Sequence, residues 1–472
     1  MPSKKYSRRS FLSTLSAGCA SVGITSLLSG ITNMGLMNAA AAANRNIYSP
    51  TNNYKALVCI LFQGGNDSFN MLIPRGTTEY NDYATIRTNL AIPKNQILPL
   101  NPLNTMSKQV GLHPNLPGLK QIFDNGDLAF VSNVGALVEP LTKSTYENDI
   151  GLKPRGLFSH SDQQKHWQTS VPQSRNHATG WAGRLADILY TSNQNQNVSM
   201  NIALDTGNVL QKGNTVVPYV IKSSGNGGSV VLSGSSNNNF YETLKRQTLD
   251  NLLDASYQNI LEKGYTNSVQ NAIGTSFEFN SAISNAPLIN TTFPSTTLGN
   301  RLKLTAKTIA SRSQLNVQHQ TFFVSVGGFD THASVQDHND QMTMIDQAIK
   351  AFYDSLVELG VQNDVTTFTM SDFGRKLISN GTGSDHAWGG NAFVIGGSVN
   401  GQRIYGDYPD LAQGSALEFG GGRIIPTLSC DEYYAELALW FGASSADLYQ
   451  ILPNINNFWI PNSNNGPIGF MS

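Results

Sequence analysis

Three short apolar runs of this chain end in the same way, in a Gly- or Ser-containing turn that carries an aspartate. The runs cover residues 56–62, 321–326 and 365–370. The turns that follow them present Asp67, Asp330 and Asp372. Continuous apolar runs of this length are typical of parallel strands whose sheet is covered on both faces. The pattern therefore predicts an α/β fold with a mostly parallel central sheet.

The segment between the second and third runs predicts how their turns are placed. Apolar residues recur there at three- and four-residue steps from Ile345 to Leu359, as in a helix. A right-handed crossover through that helix makes the two strands parallel, so both turns emerge at one edge of the sheet. Open parallel sheets bind ligands at that edge. Because His332 and His386 accompany the aspartates, we expect a metal site there.

Composition excludes one class of partner and marks one unusual segment. The chain has 472 residues, of which 13% are charged, and its net charge is −1. A nucleic-acid-binding protein is expected to present a basic face, so no nucleic-acid partner is predicted. Residues 191–294 are rich in Asn, Ser and Gly. We interpret them as an insertion or cap on a domain that spans residues 44–472.

The N-terminus predicts export. Arg8 and Arg9 precede a mildly apolar stretch, and small residues end at Ala43, so residues 1–43 resemble a twin-arginine signal peptide cleaved near Ala43. This predicts a periplasmic or secreted protein that engages the twin-arginine export machinery. The stretch contains many Ser, Thr, Gly and Asn residues, so it is not expected to act as a membrane-spanning anchor. No stable membrane insertion is expected after cleavage. Lipid attachment at Cys19 is the less favoured alternative, since Ser16 stands where an aliphatic residue is wanted.

Two further features leave alternatives open. Cys59 and Cys430 remain after cleavage, and they can form one disulfide or stay as two buried thiols.

Ser159 precedes a predicted helix, with Ser161 close behind it. A serine there is commonly a helix cap. It can also be a nucleophile, because a helix N-terminus favours negative charge.

Several motifs together resemble one bacterial family, domain-of-unknown-function family 1501. They are Gln63-Gly64-Gly65-Asn66-Asp67, Ser159-His160 with Asp162 and Gln164, Gly328-Phe329-Asp330-Thr331-His332, Ser371-Asp372-Phe373-Gly374-Arg375, Asp385-His386, Arg423-Ile424-Ile425-Pro426, Trp440-Phe441-Gly442 and Pro453-Asn454. The family is grouped with the alkaline-phosphatase-like superfamily of phosphatases, sulfatases and phosphomutases. The resemblance implies a three-layer α/β/α sandwich with two divalent metal ions at the strand ends.

The resemblance also implies roles for individual residues. By chain order, Ser159 takes the place of the nucleophile, and the metal ligands are expected to be Asp67, Asp330, His332, Asp372 and His386. Two positions depart from the superfamily pattern. Asp330 and His332 are separated by one residue rather than three, and Phe373 stands where the histidine of an Asp-His pair is expected. Arg375 can clamp an anionic substrate, with a surface ion pair as the alternative.

The predicted activity is metal-dependent hydrolysis of phosphate or sulfate esters by an exported protein. Carboxylate and imidazole ligands favour Zn²⁺ or Mn²⁺ over Mg²⁺ or Ca²⁺, and one or two ions are expected. The chain has no Cys/Ser-x-Pro-x-Arg motif, so a formylglycine sulfatase is not expected. The alternative is a non-catalytic exported protein that keeps the fold and binds a surface polysaccharide or another partner.

Overall fold

The computed structural model describes residues 54–224, 239–462 and 465–472. The predicted signal peptide, its cleavage site near Ala43 and Cys19 lie outside the described residues. Within those ranges, no helix combines the length and the apolar character needed to cross a bilayer.

The chain alternates strands and helices, as the apolar runs predict. The strands are β1 (Lys55–Phe62), β2 (Leu72–Pro74), β3 (Leu98–Pro99), β4 (Val110–Leu112), β5 (Leu128–Gly135), β6 (Asn201–Leu204), β7 (Tyr219–Ile221), β8 (His319–Val326), β9 (Val365–Ser371), β10 (Arg375–Ser379), β11 (Ser384–His386), β12 (Gly390–Ile395), β13 (Arg403–Tyr405) and β14 (Leu428–Ser429). The helices are α1 (Thr77–Arg87), α2 (Pro117–Asp124), α3 (Lys143–Glu147), α4 (His160–Thr169), α5 (Trp181–Leu189), α6 (Phe240–Leu253), α7 (Ile260–Ser284), α8 (Thr297–Ala310), α9 (Val335–Glu358), α10 (Cys430–Phe441) and α11 (Leu448–Ile451).

A central sheet of nine strands organises the described part of the chain. Its order is β13-β5-β12-β9-β1-β8-β6-β7, with β14 also paired to β5. Strand β12 is antiparallel to both of its neighbours, and the other pairs are parallel. The prediction of an α/β fold with a mostly parallel central sheet is confirmed.

The three apolar runs become neighbouring strands that end at the same level. Strand β1 lies between β9 and β8, and Phe62 at its end pairs with Ser371 on one side and Val326 on the other. Because these strands are parallel and in register, the turns that follow them open at one edge of the sheet. The predicted convergence of the turns is confirmed.

Hydrophobic residues cover the sheet on both faces, which produces three layers. Alternate residues of β1 point to opposite faces, as the two-residue period of a strand requires. Ile60 belongs to a buried cluster that contains residues of α1, α2, α8 and α9. Leu61 belongs to a second cluster that contains residues of α5 and α10. Cys59 and Cys430 both lie in this second cluster as free thiols, so they are not joined by a disulfide.

The segment 191–294, predicted as an insertion or cap, divides into two parts. Its first part supplies β6 and β7, which form one end of the central sheet. Its later part contains α6 and α7. Helix α6 has no buried residue, whereas α7 buries Phe279 and Ala282 in the core.

Candidate metal centre

The turn after β1 holds the site together through two glycines. Gly64 and Gly65 have φ values of +117° and +85°, which side chains with a Cβ rarely adopt. A Cβ on Gly64 would lie 2.3 Å from the backbone nitrogen of Asp330. The amide of Gly64 donates a hydrogen bond of 3.1 Å to Asp372 Oδ2. The β1 turn is therefore packed directly between the acidic turns that follow β8 and β9.

Three of the predicted ligands lie in contact at this edge. The Nε2 atoms of His332 and His386 are 2.9 Å apart. Asp330 Oδ1 lies 3.0 Å from His332 Nε2 and 3.4 Å from His386 Nε2. Donor atoms around a tetrahedral Zn²⁺ ion are about 3.3 Å from one another, given Zn–N distances of 2.0–2.1 Å. The three donor atoms thus have the mutual spacing of one face of a metal-coordination shell.

The outer nitrogen of each imidazole faces an acceptor. His386 Nδ1 lies 2.8 Å from the carbonyl oxygen of Phe158, and His332 Nδ1 lies 3.3 Å from Asp385 Oδ1. Lys376 in turn contacts Asp385 at 3.1 Å. In the tautomer with a proton on each Nδ1 atom, these acceptors are satisfied and both Nε2 atoms keep their lone pairs. Carboxylates and backbone carbonyls orient metal-binding histidines in this way.

His160, which was not predicted as a ligand, completes the cluster. Its Nδ1 atom lies 2.8 Å from Asp372 Oδ2, and its Nε2 atom lies 3.5 Å from Asp330 Oδ2. His160, Asp330 and His386 each offer a ligand atom within 4.8 Å of the others. The ring of His160 packs against Phe373, with centroids 4.9 Å apart. A histidine from α4 therefore lies beside the phenylalanine that replaces the expected histidine after β9.

Asp372 lies behind this cluster and orients His160. Its side chain is fully buried, and its Oδ2 atom accepts hydrogen bonds from Gly64 N, from His160 Nδ1 and from Gln164 Nε2, the last at 2.9 Å. Within the described residues, Oδ1 has no hydrogen-bond partner. Since Oδ2 is shared by three donors, the contacts of Asp372 fit a group that positions His160 better than a direct ligand.

Arg375, predicted as a clamp for an anionic substrate, is buried under the site. Its Nη1 atom donates to Asp330 Oδ1 at 3.0 Å and to the carbonyl oxygen of Gly64 at 2.7 Å, while Nε donates to the carbonyl oxygen of Ser384 at 2.9 Å. The side chain has no exposed surface. A guanidinium in this position fixes Asp330 and the surrounding turns, and it has no donor left on the surface for a substrate.

Asp67 is held by a buried arginine. Its Oδ2 atom forms an ion pair with Arg87, whose side chain is fully buried. The sequence order of the motifs predicts a ligand here, but the cluster of donor atoms found among the described residues does not contain Asp67.

Ser159 is the N-cap of α4 and lies between two residues that contact the cluster. Its Oγ atom accepts from the amide of Asp162 at 3.4 Å and lies 3.3 Å from Ser161 Oγ. Both contacts are long, so this hydroxyl is weakly held as a cap. Phe158 before it has φ +74° and supplies the carbonyl that faces His386, and His160 follows it.

The charges around the cluster favour a bound cation. Burial acts to raise the pKa of Asp330, but the hydrogen bond and charge of Arg375 outweigh it, so the pKa lies below its usual value. Burial lowers the pKa of His386, and the Phe158 carbonyl offsets part of this effect. The hydrogen bond to Asp372 raises the pKa of His160, against the effect of burial. At neutral pH, Asp330 is thus ionised and His386 is neutral, as metal ligands must be.

Several solved structures resemble this chain weakly. A sulfatase from Pseudoalteromonas sp. is 10% identical, with 94% of this chain and 76% of that chain covered and a TM-score of 0.35. A protein of the alkaline phosphatase superfamily from Vibrio parahaemolyticus is 10% identical, with coverages of 91% and 78% and a TM-score of 0.33. The C-terminal periplasmic domain of EcEptC from Escherichia coli, in complex with Zn, is 8% identical, with 74% of each chain covered and a TM-score of 0.31. No curated protein matches the sequence.

The sequence itself gives a clearer relationship. The family described as "Protein of unknown function (DUF1501)" matches residues 54–418, which is more than half of the chain and includes His160, Asp330, His332, Asp372 and His386. This chain belongs to the DUF1501 family.

Proposed function

We propose that this protein is an exported, metal-dependent hydrolase of phosphate or sulfate esters. The observation that carries the proposal is the 2.9 Å approach of His332 Nε2 and His386 Nε2 beside Asp330. When both rings carry their proton on Nδ1, two Nε2 lone pairs face this place, and a divalent cation there can accept both. Divalent metal ions bind such sets of imidazole and carboxylate donors.

The donor set supports a particular class of cation. His160, His332 and His386 offer three ring nitrogens, and Asp330 offers carboxylate oxygens. A mixed set of imidazole and carboxylate donors suits Zn²⁺ first and Mn²⁺ second, whereas Mg²⁺ and Ca²⁺ prefer oxygen donors alone. A divalent cation held there supplies Lewis-acid stabilisation of an ester oxygen and lowers the pKa of a nearby nucleophile.

The protein's own groups support hydrolysis through Ser159. In the proposed reaction, Ser159 loses its hydroxyl proton and its oxygen bonds to the phosphorus or sulfur of the ester, while the bond to the leaving alcohol breaks and that alcohol takes up a proton. Water then attacks the same phosphorus or sulfur, the bond to Ser159 Oγ breaks, and phosphate or sulfate is released as the serine hydroxyl is restored. The hydroxyl of Ser159 makes only long contacts. The first amides of α4 lie next to it and favour an anionic group. Asp372 and Gln164 hold the His160 side of the site in place.

Export through the twin-arginine route is part of the proposal. The paired arginines Arg8 and Arg9 support it, and they lie in the proposed signal peptide of residues 1–43. We also propose that residues 44–472 form one domain on which the later part of segment 191–294 acts as a cap. A periplasmic or secreted location is consistent with the chemistry, since a folded protein can be exported with its metal in place.

The experiment that tests the activity is a screen of phosphate and sulfate esters with added Zn²⁺, Mn²⁺, Mg²⁺ or Ca²⁺. It compares the wild-type protein with Ser159→Ala. If Ser159 is the nucleophile, the variant loses turnover. It loses only about 0.5–1 kcal/mol of unfolding free energy, because the capping hydrogen bond from the Asp162 amide is long. The matched control is Thr296→Ala, which removes the N-cap of α8 with a 3.0 Å hydrogen bond and should keep full turnover.

Each other outcome of the screen has a defined meaning. Equal turnover by wild type and Ser159→Ala removes Ser159 from the mechanism, and Ser161 becomes the next candidate. Absence of turnover by the metal-loaded wild type with every ester contradicts the hydrolase proposal. It favours a non-catalytic exported protein that keeps the fold and the metal site.

A further inference from the structure

The sequence motif that begins at Arg423 lies beside the metal centre, and the proposed reaction does not use it. The Cζ atom of Arg423 lies 4.9 Å from the centre of the Phe158 ring. The carbonyl oxygen of Phe158 lies 2.8 Å from His386 Nδ1, and Ser159 is the next residue of the chain. Phe158 therefore connects Arg423 to the outer nitrogen of one of the two paired histidines.

Lys376 has the same relation to the other histidine of the pair. Its Nζ atom lies 3.1 Å from Asp385 Oδ2, and Asp385 Oδ1 lies 3.3 Å from His332 Nδ1. A Cβ on Gly421 would lie 3.4 Å from Arg423 Nη1 and 3.7 Å from Lys376 Nζ. The two cations thus line one space, which the lack of a side chain at Gly421 leaves open.

A buried carboxylate holds the loop that carries Arg423. Glu418 is 4% exposed and accepts hydrogen bonds from the amides of Gly420 at 2.7 Å and Gly422 at 2.8 Å. The carbonyl oxygen of Gly422 in turn accepts a hydrogen bond of 2.9 Å from the amide of Leu377 in β10, the strand that carries the lysine. The loop is therefore fixed against β10, and the two cations are held near each other.

Arg423 has no carboxylate partner in the described part of the chain. The arginines that form ion pairs there are Arg87, Arg175, Arg301 and Arg375. Arg423 Nη1 donates to the carbonyl oxygen of Gly420 at 3.0 Å, but the buried Nε atom has no hydrogen-bond partner among the described residues. Buried donors are usually paired, and a guanidinium presents paired donors to the oxygens of an anion such as phosphate or carboxylate. An anionic group of a ligand would therefore complete the contacts of Arg423.

The charges around this loop also favour an anion. Burial acts to raise the pKa of Glu418, but hydrogen bonds from backbone amides and the charge of Lys143 outweigh it, so the pKa lies below its usual value. Glu418 is therefore ionised at neutral pH. Asp385 is paired with Lys376, and Arg423 adds a third cation. Two carboxylates thus face three cations, which leaves one positive charge for an anionic partner.

We infer that Arg423 and Lys376 form a subsite for a second anionic group of the substrate, beside the metal centre that binds the reacting ester. Each cation reaches a histidine only through an intervening residue, Phe158 or Asp385, so it lies outside the ligands of the proposed cation. The inference rests on the proposed function, because it names the substrate class. That class is an ester that carries a further phosphate, sulfate or carboxylate group. Arg423 is on this account a specificity-determining residue and takes no part in bond cleavage.

Binding of two phosphonates tests the inference without any assay of turnover. One is a hexane chain with a phosphonate group at one end, and the other is the same chain with a phosphonate group at both ends. Their carbon–phosphorus bonds are not hydrolysed as esters. Isothermal titration calorimetry of the Zn²⁺-loaded protein measures both affinities. We expect the wild-type protein to bind the diphosphonate at least about tenfold more tightly, and Arg423→Gln to lose most of this preference.

The matched control is Arg403→Gln, which removes the same charge elsewhere. Arg403 Nη1 donates to the carbonyl oxygen of Gly401 at 3.2 Å, and Arg403 pairs with Ala129 near the start of β5. This variant should keep the wild-type preference for the diphosphonate. Equal preferences in Arg423→Gln and Arg403→Gln would overturn the inference, as would equal affinities of the wild-type protein for the two phosphonates.

A second variant keeps the test decisive if Arg423→Gln does not fold. Arg423→Lys keeps the charge but lacks the paired donors of a guanidinium, so it should also lose part of the preference for the diphosphonate. An unchanged preference in Arg423→Lys would then count against the inference.

The outcomes also separate the inference from the proposed function. If esters are hydrolysed but the preference for the diphosphonate does not depend on Arg423, the subsite is wrong and the hydrolase proposal stands. If no ester is hydrolysed but the preference depends on Arg423, the anion subsite stands and the hydrolase proposal fails.

Discussion

His332 and His386 bring their Nε2 atoms to 2.9 Å from each other, while the Nδ1 atom of each ring faces an oxygen acceptor. The arrangement uses both nitrogens of both rings. The outer nitrogens fix the orientation of the imidazoles, and the inner nitrogens point their lone pairs at one place. Asp330 adds negative charge at the same place, and Arg375 keeps that charge fully ionised. In the tautomer with both Nδ1 atoms protonated, the pair can supply two ligands to the proposed cation-binding site.

The first prediction is that His386→Asn weakens Zn²⁺ binding by about 100-fold or more. Replacing a group that only orients a metal ligand already lowers metal affinity by about 10–100-fold, and loss of a ligand should cost at least as much. Asparagine keeps a polar side chain but cannot place a nitrogen lone pair where Nε2 lies. The measurement is competition with a chromogenic zinc chelator at pH 7.5.

The matched control for this prediction is His177→Asn. His177 is a half-buried histidine that contacts Thr179 and Arg184, away from the cluster. This variant should bind Zn²⁺ as the wild type does. Equal affinity of His386→Asn and His177→Asn would show that His386 is not a ligand.

The second prediction concerns the two carboxylates that orient histidines. Asp372→Asn should weaken Zn²⁺ binding by about 10–100-fold, since the Asp372 carboxylate is fully buried and lies 2.8 Å from His160 Nδ1. Asp385→Asn should have a smaller effect, because Asp385 is exposed to solvent and lies 3.3 Å from His332 Nδ1. The same chelator competition measures both. The reverse order of the two effects would contradict the assignment of Asp372 as the group that positions His160.

The strands and the meeting of three of the proposed ligands could be predicted from the sequence because they depend on local patterns. Apolar runs followed by Gly and Asp mark the ends of β1, β8 and β9, and parallel strands in register bring those ends to one edge. Asp330 and His332 follow from this rule, whereas His386 belongs to β11, later in the chain. Position in the sequence is enough to predict that the turns meet, because turns after neighbouring parallel strands must lie at the same edge of the sheet.

The contacts of His160 and Asp67 could not be predicted from the sequence alone. His160 contacts Asp372 across 212 residues, and its helix α4 reaches the site only through tertiary packing. The motif Ser159-His160 was a usable signal, but the adjacent serine was the more obvious candidate for chemistry. The direction in which Asp67 points depends on Arg87, which belongs to a helix that the sequence pattern does not link to the β1 turn.

The third prediction is that replacing Arg8 and Arg9 together with Lys leaves the precursor in the cytoplasm. The twin-arginine signal is recognised through its paired arginines, and the equal charge of Lys does not substitute for them. Cell fractionation followed by immunoblotting measures the distribution. Normal accumulation of this variant in the periplasm would contradict the proposed export route.

The fourth prediction concerns stability against pH. Burial lowers the pKa of His319 to about 4, and the nearby Lys55 adds to the effect. The folded-state pKa is thus below the unfolded value of about 6.5. The stability from keeping this ring neutral is fully present above pH 6.5 and is lost as the pH falls toward 4. Between pH 7.5 and pH 5, His319 should cost the wild type about 1–2 kcal/mol of unfolding free energy.

His319→Phe tests this prediction because phenylalanine cannot titrate. The comparison uses the change in unfolding free energy between pH 7.5 and pH 5, measured by urea denaturation. The change should be smaller in the variant, whatever its absolute stability. Asp431 acts in the opposite direction in both proteins, because burial raises its pKa to about 7, so it cancels in the comparison. Equal changes in the two proteins would show that His319 is not held neutral by the fold.

The last prediction distinguishes two glycines in neighbouring turns. Gly64 follows β1 with φ +117°, and a Cβ there would lie 2.3 Å from Asp330 N and 2.8 Å from the carbonyl carbon of Phe329. Both obstacles are backbone atoms, so they cannot move without shifting the turn that carries Asp330. Gly64→Ala should therefore cost about 2 kcal/mol or more of unfolding free energy. Gly327→Ala, just after β8, meets no atom within 4 Å and should change stability by less than about 1 kcal/mol. Thermal melting with and without Zn²⁺ measures both, and Gly64→Ala should also lose part of the stabilisation by Zn²⁺ because Asp330 is displaced. Equal melting temperatures for the two variants would mean that the β1 turn does not hold the metal centre in place.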